Sequence, residues 1–451
     1  MAFKNSVTEA LQRITVCGLG KLGTCIGACL AAGGFEVFGI DVDRRKVESL
    51  RNGIAPVEEP KLQEMIEASD GRFSATSDFS DALATSQACF FVVPTPSLPD
   101  GSFSNDFLLK SLHEVATQVK QRGHHNFLFV VNSTVTPGSC EEVLTPVLEQ
   151  LLGGKCGRDY GLCYNPEFIA LGDVIRGLLQ PDLVLIGESD ASSGDRLKDL
   201  YSRFTTNKAP VERMSLASAE LAKISLNCAV TMKISFANQL SAVSAKFPNA
   251  DARAILRAIG RDRRIGPEYL KLGLGFGGPC FPRDNRLFQY TAESVGIRAP
   301  LARATDQIND SVNNRLLDTV LSRIRDGRPA GVLGLAYKPF TSVIDCSPGV
   351  WLCQSLAARG HQVFAHDYQA GETASSIFTN GRITVCENPA QVLQKDCSAF
   401  VITCPWPGYK EVFQSAAAQQ LSRDTSVIDP WSVLDRATPA WDRLSHITGL
   451  D

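Results

Sequence analysis

The chain is poor in the residues that metal and imidazole chemistry use. It has six histidines in 451 residues, none partnered at metal-ligand spacing, and none of its 14 cysteines stands in a Cys-x-x-Cys pair. Metal sites and histidine-base mechanisms are therefore not expected. An excess of one charge is missing too: 45 lysines and arginines face 48 aspartates and glutamates, a formal net charge of −3. Without a block of like charge, nucleic acid and anionic membrane are not expected partners; a local basic pocket for phosphates stays open. No apolar run approaches the ~20 residues that span a bilayer. The opening Met1-Ala2-Phe3-Lys4-Asn5-Ser6 lacks the apolar core of a signal peptide. Scattered cysteines fit a reducing cytoplasm, where most act as small buried hydrophobes.

What is present is an ordinary globular composition, 44% hydrophobic and 21% charged. The length calls for two or three domains. Arg13 to Cys17 reads as a strand, Gly18-Leu19-Gly20-Lys21-Leu22-Gly23 as a turn, and the run to Ala32 as a helix ended by Gly33-Gly34. Phe35 to Ile40 then forms a second strand closing on Asp41. Such a βαβ unit assigns Gly18 to the tight turn, Gly20 to a close pyrophosphate approach and Gly23 to helix–strand packing. Asp41 is placed to accept from ribose hydroxyls, favouring NAD; Arg44 and Arg45 leave a 2′-phosphate open. Further strands are expected at 88–93, 127–131, 162–164 and 183–186. Helical patterns follow over 218–245 and 301–324.

The final third repeats the first. Gly33-Gly34-Phe35-Glu36-Val37 through Asp41 has a counterpart in Arg359-Gly360-His361-Gln362-Val363 through Asp367. The turn at Gly331 to Lys338 has too few glycines for the same fingerprint and points to a different nucleotide. The expected fold is α/β: two Rossmann-like doubly wound domains, residues 1–209 and 326–451, joined by a helical central domain, 210–325, with a long connecting helix.

Chemistry concentrates in Gly275-Phe276-Gly277-Gly278-Pro279-Cys280-Phe281-Pro282-Arg283-Asp284. A thiolate near a cation is a nucleophile, and glycines let substrate approach the backbone. A thiol beside a nicotinamide suggests oxidation through a covalent thiohemiacetal. On the first long helix, Lys223 and Asn227 share a face one turn apart, and a lysine among apolar neighbours needs a partner or a function.

Together these motifs resemble the UDP-glucose/GDP-mannose dehydrogenase family, from about residue 12 to about 436. The carrying residues are the Gly18–Gly23 turn with Asp41, Asn52-Gly53 with Glu59-Pro60, Thr95-Pro96, Ser133-Thr134, Asn165-Pro166-Glu167-Phe168, Lys223 with Asn227, Arg264-Ile265-Gly266 and the 275–284 segment. The resemblance is nearest to the UDP-glucose 6-dehydrogenases. It implies a four-electron oxidation of a sugar C6 alcohol with NAD, through a Cys280 thioester. Asp284 would act as base through a water, Lys223 would stabilise oxyanion charge, Glu167 would activate the hydrolytic water, and Asn227 and Thr134 would position substrate and water. The cofactor set implied is Gly18, Gly20, Leu22, Gly23, Asp41, Lys46, Thr95, Thr134 and Arg283. The nucleotide sugar would meet Glu167, Phe168, Lys223, Asn227, Arg264, Gly273, Phe276, Gly277, Tyr337 and Lys338. Arg264 would reach across a homodimer.

Three positions depart from the family pattern: Leu171 stands for a glutamate, Asp345 for an arginine, and Trp431 for a basic residue. The reaction type is thereby better specified than the sugar or base. Alternatives are the same chemistry on GDP-mannose or a UDP-N-acetylhexosamine, a two-electron hydroxyacid-type dehydrogenase, and a nucleotide-sugar binding protein without turnover.

Overall fold

A computed structural model describes residues 10–325, 327–434 and 445–447, the side chains of 416, 417 and 445–447 aside. The opening segment read above for a signal sequence lies outside the described residues as far as residue 9, as does residue 326, the expected start of the last domain. The chain forms two compact units, Met1–Ser225 and Leu226–Asp451.

The first unit is built on eight strands: β1 Arg13–Cys17, β2 Glu36–Ile40, β3 Phe73–Thr76, β4 Ala88–Phe91, β5 Leu128–Val131, β6 Gly161–Tyr164, β7 Val184–Glu188 and β8 Val211–Ser215. Their order is β3-β2-β1-β4-β5-β6-β7-β8. Neighbours run parallel except β6 and β7, which pair antiparallel. Central strands such as Leu128-Phe129-Val130-Val131 are buried along their whole length, as strands covered on both faces must be. One face packs helix Lys21–Ala32 and helix Ala191–Phe204 through Cys25, Leu30, Leu197 and Tyr201. The other packs helix Asp106–Arg122 through Leu108, Leu112, Val115 and Val119.

The 29-residue helix Leu216–Ser244 begins in this unit, where Leu216 and Ala219 join the core. In the second unit the described residues include helices Ala252–Gly260, Phe281–Ser294 and Pro300–Leu321. They also include a wholly parallel sheet of β9 Ala330–Leu333, β10 Val363–His366, β11 Ile383–Val385, β12 Ala399–Ile402, β13 Ser426–Ile428 and β14 Ser445–Ile447, ordered β11-β10-β9-β12-β13-β14. Helix Pro300–Leu321 contributes Val312, Leu316, Leu317 and Val320 to its core.

The internal repeat is structural as well as sequential. The Gly18 amide donates to Ile40 O at 2.8 Å, and the Gly334 amide donates to His366 O at 2.8 Å. Asp41 Oδ2 accepts from the Leu19 amide at 2.7 Å, and Asp367 Oδ2 from the Leu335 amide at 2.7 Å. The same turn thus follows the first strand of each sheet.

Candidate active site

The glycine turn is shaped as its spacing requires. Gly18 has φ +101°, and a Cβ there would lie 2.3 Å from Val92 O, so the turn is closed to any other residue. A Cβ on Gly23 would stand 1.9 Å from Gly18 O, which presses helix against strand. Gly20 differs: it caps helix Lys21–Ala32 in an extended conformation, and a Cβ there would have nothing within 4 Å. That open space lies at the positive end of a helix, where a diphosphate is favoured. Asp41 ends the adjacent strand; its second oxygen accepts from the Asp43 amide at 2.8 Å, and Lys46 Nζ stands 3.6 Å away. Leu22 lies partly buried in the first helical turn.

The corresponding place in the second unit is closed. Asp367 accepts from the amides of Leu335, Ala336, Gln369 and Ala370 and from Trp406 Nε1 at 3.1 Å. Its carboxylate is committed to its own loops.

Past β5, the Ser133-Thr134 turn is held by short bonds. Thr95 Oγ1 donates to Thr134 O at 2.6 Å, Ser133 Oγ to Val93 O at 2.6 Å, and Thr136 Oγ1 accepts from the Phe103 amide at 2.9 Å. The fully buried Glu220, which sequence reasoning passed over as a site residue, accepts from the amides of Gly138 at 2.6 Å and Cys140 at 2.8 Å. Burial pushes its carboxyl up, and those hydrogen bonds oppose the push. Thr95 and Thr134 are therefore brought together.

Past β6, Asn165-Pro166-Glu167-Phe168 meets helix Leu216–Ser244. Lys223 is 7% exposed and donates from Nζ to Glu167 O at 2.7 Å; the same ammonium lies 4.9 Å from the Phe168 ring centroid. A cation held by a carbonyl and a ring face is the partnered lysine its apolar surroundings require. Tyr201 Oη lies 2.8 Å from Glu167 Oε1 and 2.7 Å from Asn165 Oδ1. Removal from water pushes the Glu167 carboxyl up to about 7, against the hydrogen bond from Tyr201 and the charge of Lys223. Tyr201 gave no sequence signal, because a tyrosine at a helix's buried stripe looks like core.

In the second unit, Cys280 caps helix Phe281–Ser294 and is exposed. The helix N-terminus favours an anion at that position. Removal from water pushes the thiols of Cys17, Cys29 and Cys228 up to about 12. Asp284, in the first turn of the same helix, is buried and accepts from Asn227 Nδ2 at 2.5 Å. Beneath it, Thr231 Oγ1 donates to Asn285 Oδ1 at 3.1 Å, and Asp306 accepts from Asn285 at 2.9 Å and Gln289 at 2.8 Å. Arg283 is partly buried in that first turn.

The glycine loop before Cys280 is packed tightly. A Cβ on Gly277 would lie 2.4 Å from Cys346 O, one on Gly278 (φ +83°) 2.5 Å from the Tyr337 ring, and one on Gly273 2.2 Å from the Trp431 ring. The Phe276 amide and carbonyl are both bonded by the Asn309 side chain, at 2.7 and 3.0 Å. Tyr337 therefore joins the loop, while Lys338 Nζ lies 5.9 Å from the Tyr337 centroid. Arg264 is exposed and pairs with Asp262 at 2.7 Å. Leu171 packs against the core of the first unit, Asp345 is exposed with its carbonyl taking the Gly278 amide at 2.8 Å, and Trp431 donates to Thr403 O at 3.2 Å. Among the described residues no group of three His, Cys, Asp or Glu could hold a metal ion, and no helix is long and apolar enough to cross a membrane.

A glycine turn with open space at Gly20 and an aspartate at the next strand end fits a dinucleotide, the arrangement of a dinucleotide-binding enzyme. Sequence comparison then narrows the class. The UDP-glucose/GDP-mannose dehydrogenase family matches with its NAD binding domain over residues 12–205, its central domain over 217–311 and its UDP binding domain over 331–436. The chain belongs to that family, and NAD is its cofactor. It is 33% identical over 360 residues, 79% of this chain and 81% of the other, to a GDP-mannose 6-dehydrogenase of Pseudomonas syringae. It is 33% identical over 399 residues, 87% and 91%, to a UDP-glucose 6-dehydrogenase of Haloferax volcanii. A UDP-glucose dehydrogenase structure from Pyrobaculum islandicum superposes with TM-score 0.85 at 30% identity, covering 100% of this chain and 99% of that one.

Proposed function

We propose that this chain oxidises UDP-glucose at C6 to UDP-glucuronate, working as a homodimer in a reducing cytoplasm. The observation that carries the reading is an exposed thiol at a helix N-terminus with a buried aspartate in the same first turn, the aspartate clasped by Asn227. NAD, held at the Gly18–Gly23 turn and Asp41, would supply the hydride acceptor for each of two oxidations at the sugar carbon. Asp284, through a water, takes the alcohol proton in the first. Cys280 Sγ then bonds to the aldehyde carbon as a thiohemiacetal, and oxidation of that adduct leaves a thioester. Water, deprotonated by Glu167, attacks the thioester carbon; the C–S bond breaks, the carboxylate leaves and the thiol is restored. Lys223 offers positive charge to oxygen as negative charge develops on it. Thr134 and Asn227 orient water and sugar, and the tight backbone from Gly273 to Gly277 lies along the nucleotide sugar with Phe276, Tyr337, Lys338 and Phe168.

UDP is favoured by the UDP binding domain match and by the Pyrobaculum likeness at near-complete coverage. A second copy is favoured by exposed apolar Met232, Phe236, Val243 and Phe247, near exposed Ile265 and Tyr269 in sequence. A reducing compartment is favoured by free cysteines throughout. The second reading, GDP-mannose as substrate, rests on the 33% identity to the Pseudomonas enzyme. NADH formation measured across UDP-glucose, UDP-galactose, GDP-mannose and UDP-N-acetylhexosamines decides between them: the highest kcat/KM belongs to UDP-glucose, and a preference for GDP-mannose overturns the assignment.

A further inference from the structure

Tyr201 has one hydroxyl proton and faces two oxygens that both accept. Asn165 Oδ1 is at 2.7 Å and Glu167 Oε1 at 2.8 Å. The Asn165 amide cannot be turned around, because its Nδ2 donates to Leu185 O at 2.9 Å; its oxygen is what meets Tyr201, and an amide oxygen does not donate. With Glu167 ionised, one proton serves two contacts. With Glu167 protonated, each contact has its own: the acid donates to Tyr201 Oη, and Tyr201 donates to Asn165 Oδ1. Ionising Glu167 obliges the hydroxyl to turn, leaving the buried Asn165 Oδ1 with the long 3.5 Å contact from Asn132 Nδ2. An under-satisfied buried oxygen opposes that turn.

The other groups facing Glu167 do not replace this relay. Lys223 places its ammonium at the main-chain oxygen of Glu167. From helix Lys21–Ala32 comes the Cys29 thiol, which burial and the Glu167 charge push up to about 12, so it stays neutral.

We propose that Tyr201 is a positioning residue of the reaction: its hydroxyl turns from Asn165 to Glu167 when Glu167 loses its proton, and the hydrogen bond it then donates stabilises Glu167 as the base. The proposal rests on the reading that Glu167 acts in thioester hydrolysis. Tyr201 donates only to the ionised form of Glu167, so its loss makes the base form harder to reach.

The test is the pH profile of kcat for sugar-acid formation with Tyr201→Phe. The acid limb should move up by about one pH unit, the worth of a hydrogen bond to a charged group, and the rate should recover at high pH. A fall in kcat independent of pH, as a merely structural tyrosine would give, overturns the proposal. Glu167→Gln should remove the limb, and adding Tyr201→Phe to it should shift nothing further. A second readout needs no turnover: infrared pH titration of the whole chain. A protonated-carboxyl band should be present below pH 7, be absent in Glu167→Gln, and titrate later in Tyr201→Phe. If that band titrates as stated while no nucleotide sugar is oxidised, the functional reading fails and the coupling stands. If the enzyme is active and the band is missing or unmoved, the coupling fails alone. Should Tyr201→Phe not fold, the wild-type and Glu167→Gln spectra decide, absence of the band overturning the proposal.

Discussion

Asn227 Nδ2 donates to Asp284 Oδ2 across 2.5 Å, and both side chains are buried. The amide fixes one carboxylate oxygen and with it the direction in which the other can receive a proton. Asp284→Asn keeps a donor–acceptor pair in the same volume, so melting should change little while kcat falls by about 10² to 10⁴. A fall in kcat under tenfold would remove Asp284 from base chemistry.

The three glycines of the first turn should separate by function. Gly23→Ala forces a methyl onto Gly18 O and should lower stability by more than ~1 kcal/mol in thermal melts. Gly20→Ala meets no protein atom and should leave the melt of the cofactor-free protein unchanged, yet raise KM for NAD severalfold. Equal effects of both on stability would contradict the phosphate role of Gly20.

Glu167 should give stability a pH dependence of definite sign. Its carboxyl is raised from 4.5 to about 7 in the folded chain, chiefly by removal from water. Between those values the folded state holds a proton the unfolded state has released, so stability is fully present below the unfolded value and is lost as pH rises through about 7. The difference is on the order of a few kcal/mol. Glu167→Gln should flatten that slope in denaturant titrations at stepped pH; an unchanged slope would contradict it.

Trp431 and Gly273 should couple. The indole occupies the space a side chain at residue 273 would need. Gly273→Ala alone should destabilise the protein, and should cost less in a Trp431→Ala background. Additive losses in a double-mutant cycle would show that the contact carries no energy.

Much of the fold was legible from residues whose role is local. Gly18 must take positive φ and Gly23 must lack a side chain, so their spacing already encodes the turn. The long helix was legible from its apolar period, to within a few residues of Leu216–Ser244. Strands β3 and β8 were not. Phe73-Ser74-Ala75-Thr76 is short and half polar, and Val211 to Ser215 has no buried residue. Strand β8 is held by pairing with β7 and by the Arg213–Glu188 bridge at 2.6 Å. Edge strands like these are specified by partners, which local periodicity does not record. The antiparallel β6–β7 pair was illegible for the same reason. In the site, Cys280 and Asp284 stood out in their glycine-rich segment and Lys223 as a lysine among apolar residues, while Glu167 was named through the family resemblance. Tyr201, Asn309 and Glu220 did not, since each acts through a contact distant in sequence.

The central claim is that Cys280 carries the sugar through a thioester, which makes the oxidation four-electron. The direct measurement is NADH formed per UDP-glucose consumed, with acid-quenched mass spectrometry of the Cys280 peptide during turnover. Wild type should give two NADH per sugar and a hexose-nucleotide adduct on Cys280, and Cys280→Ser should form no UDP-glucuronate. One NADH per sugar with an aldehyde product, or full acid production by Cys280→Ser, would contradict the account.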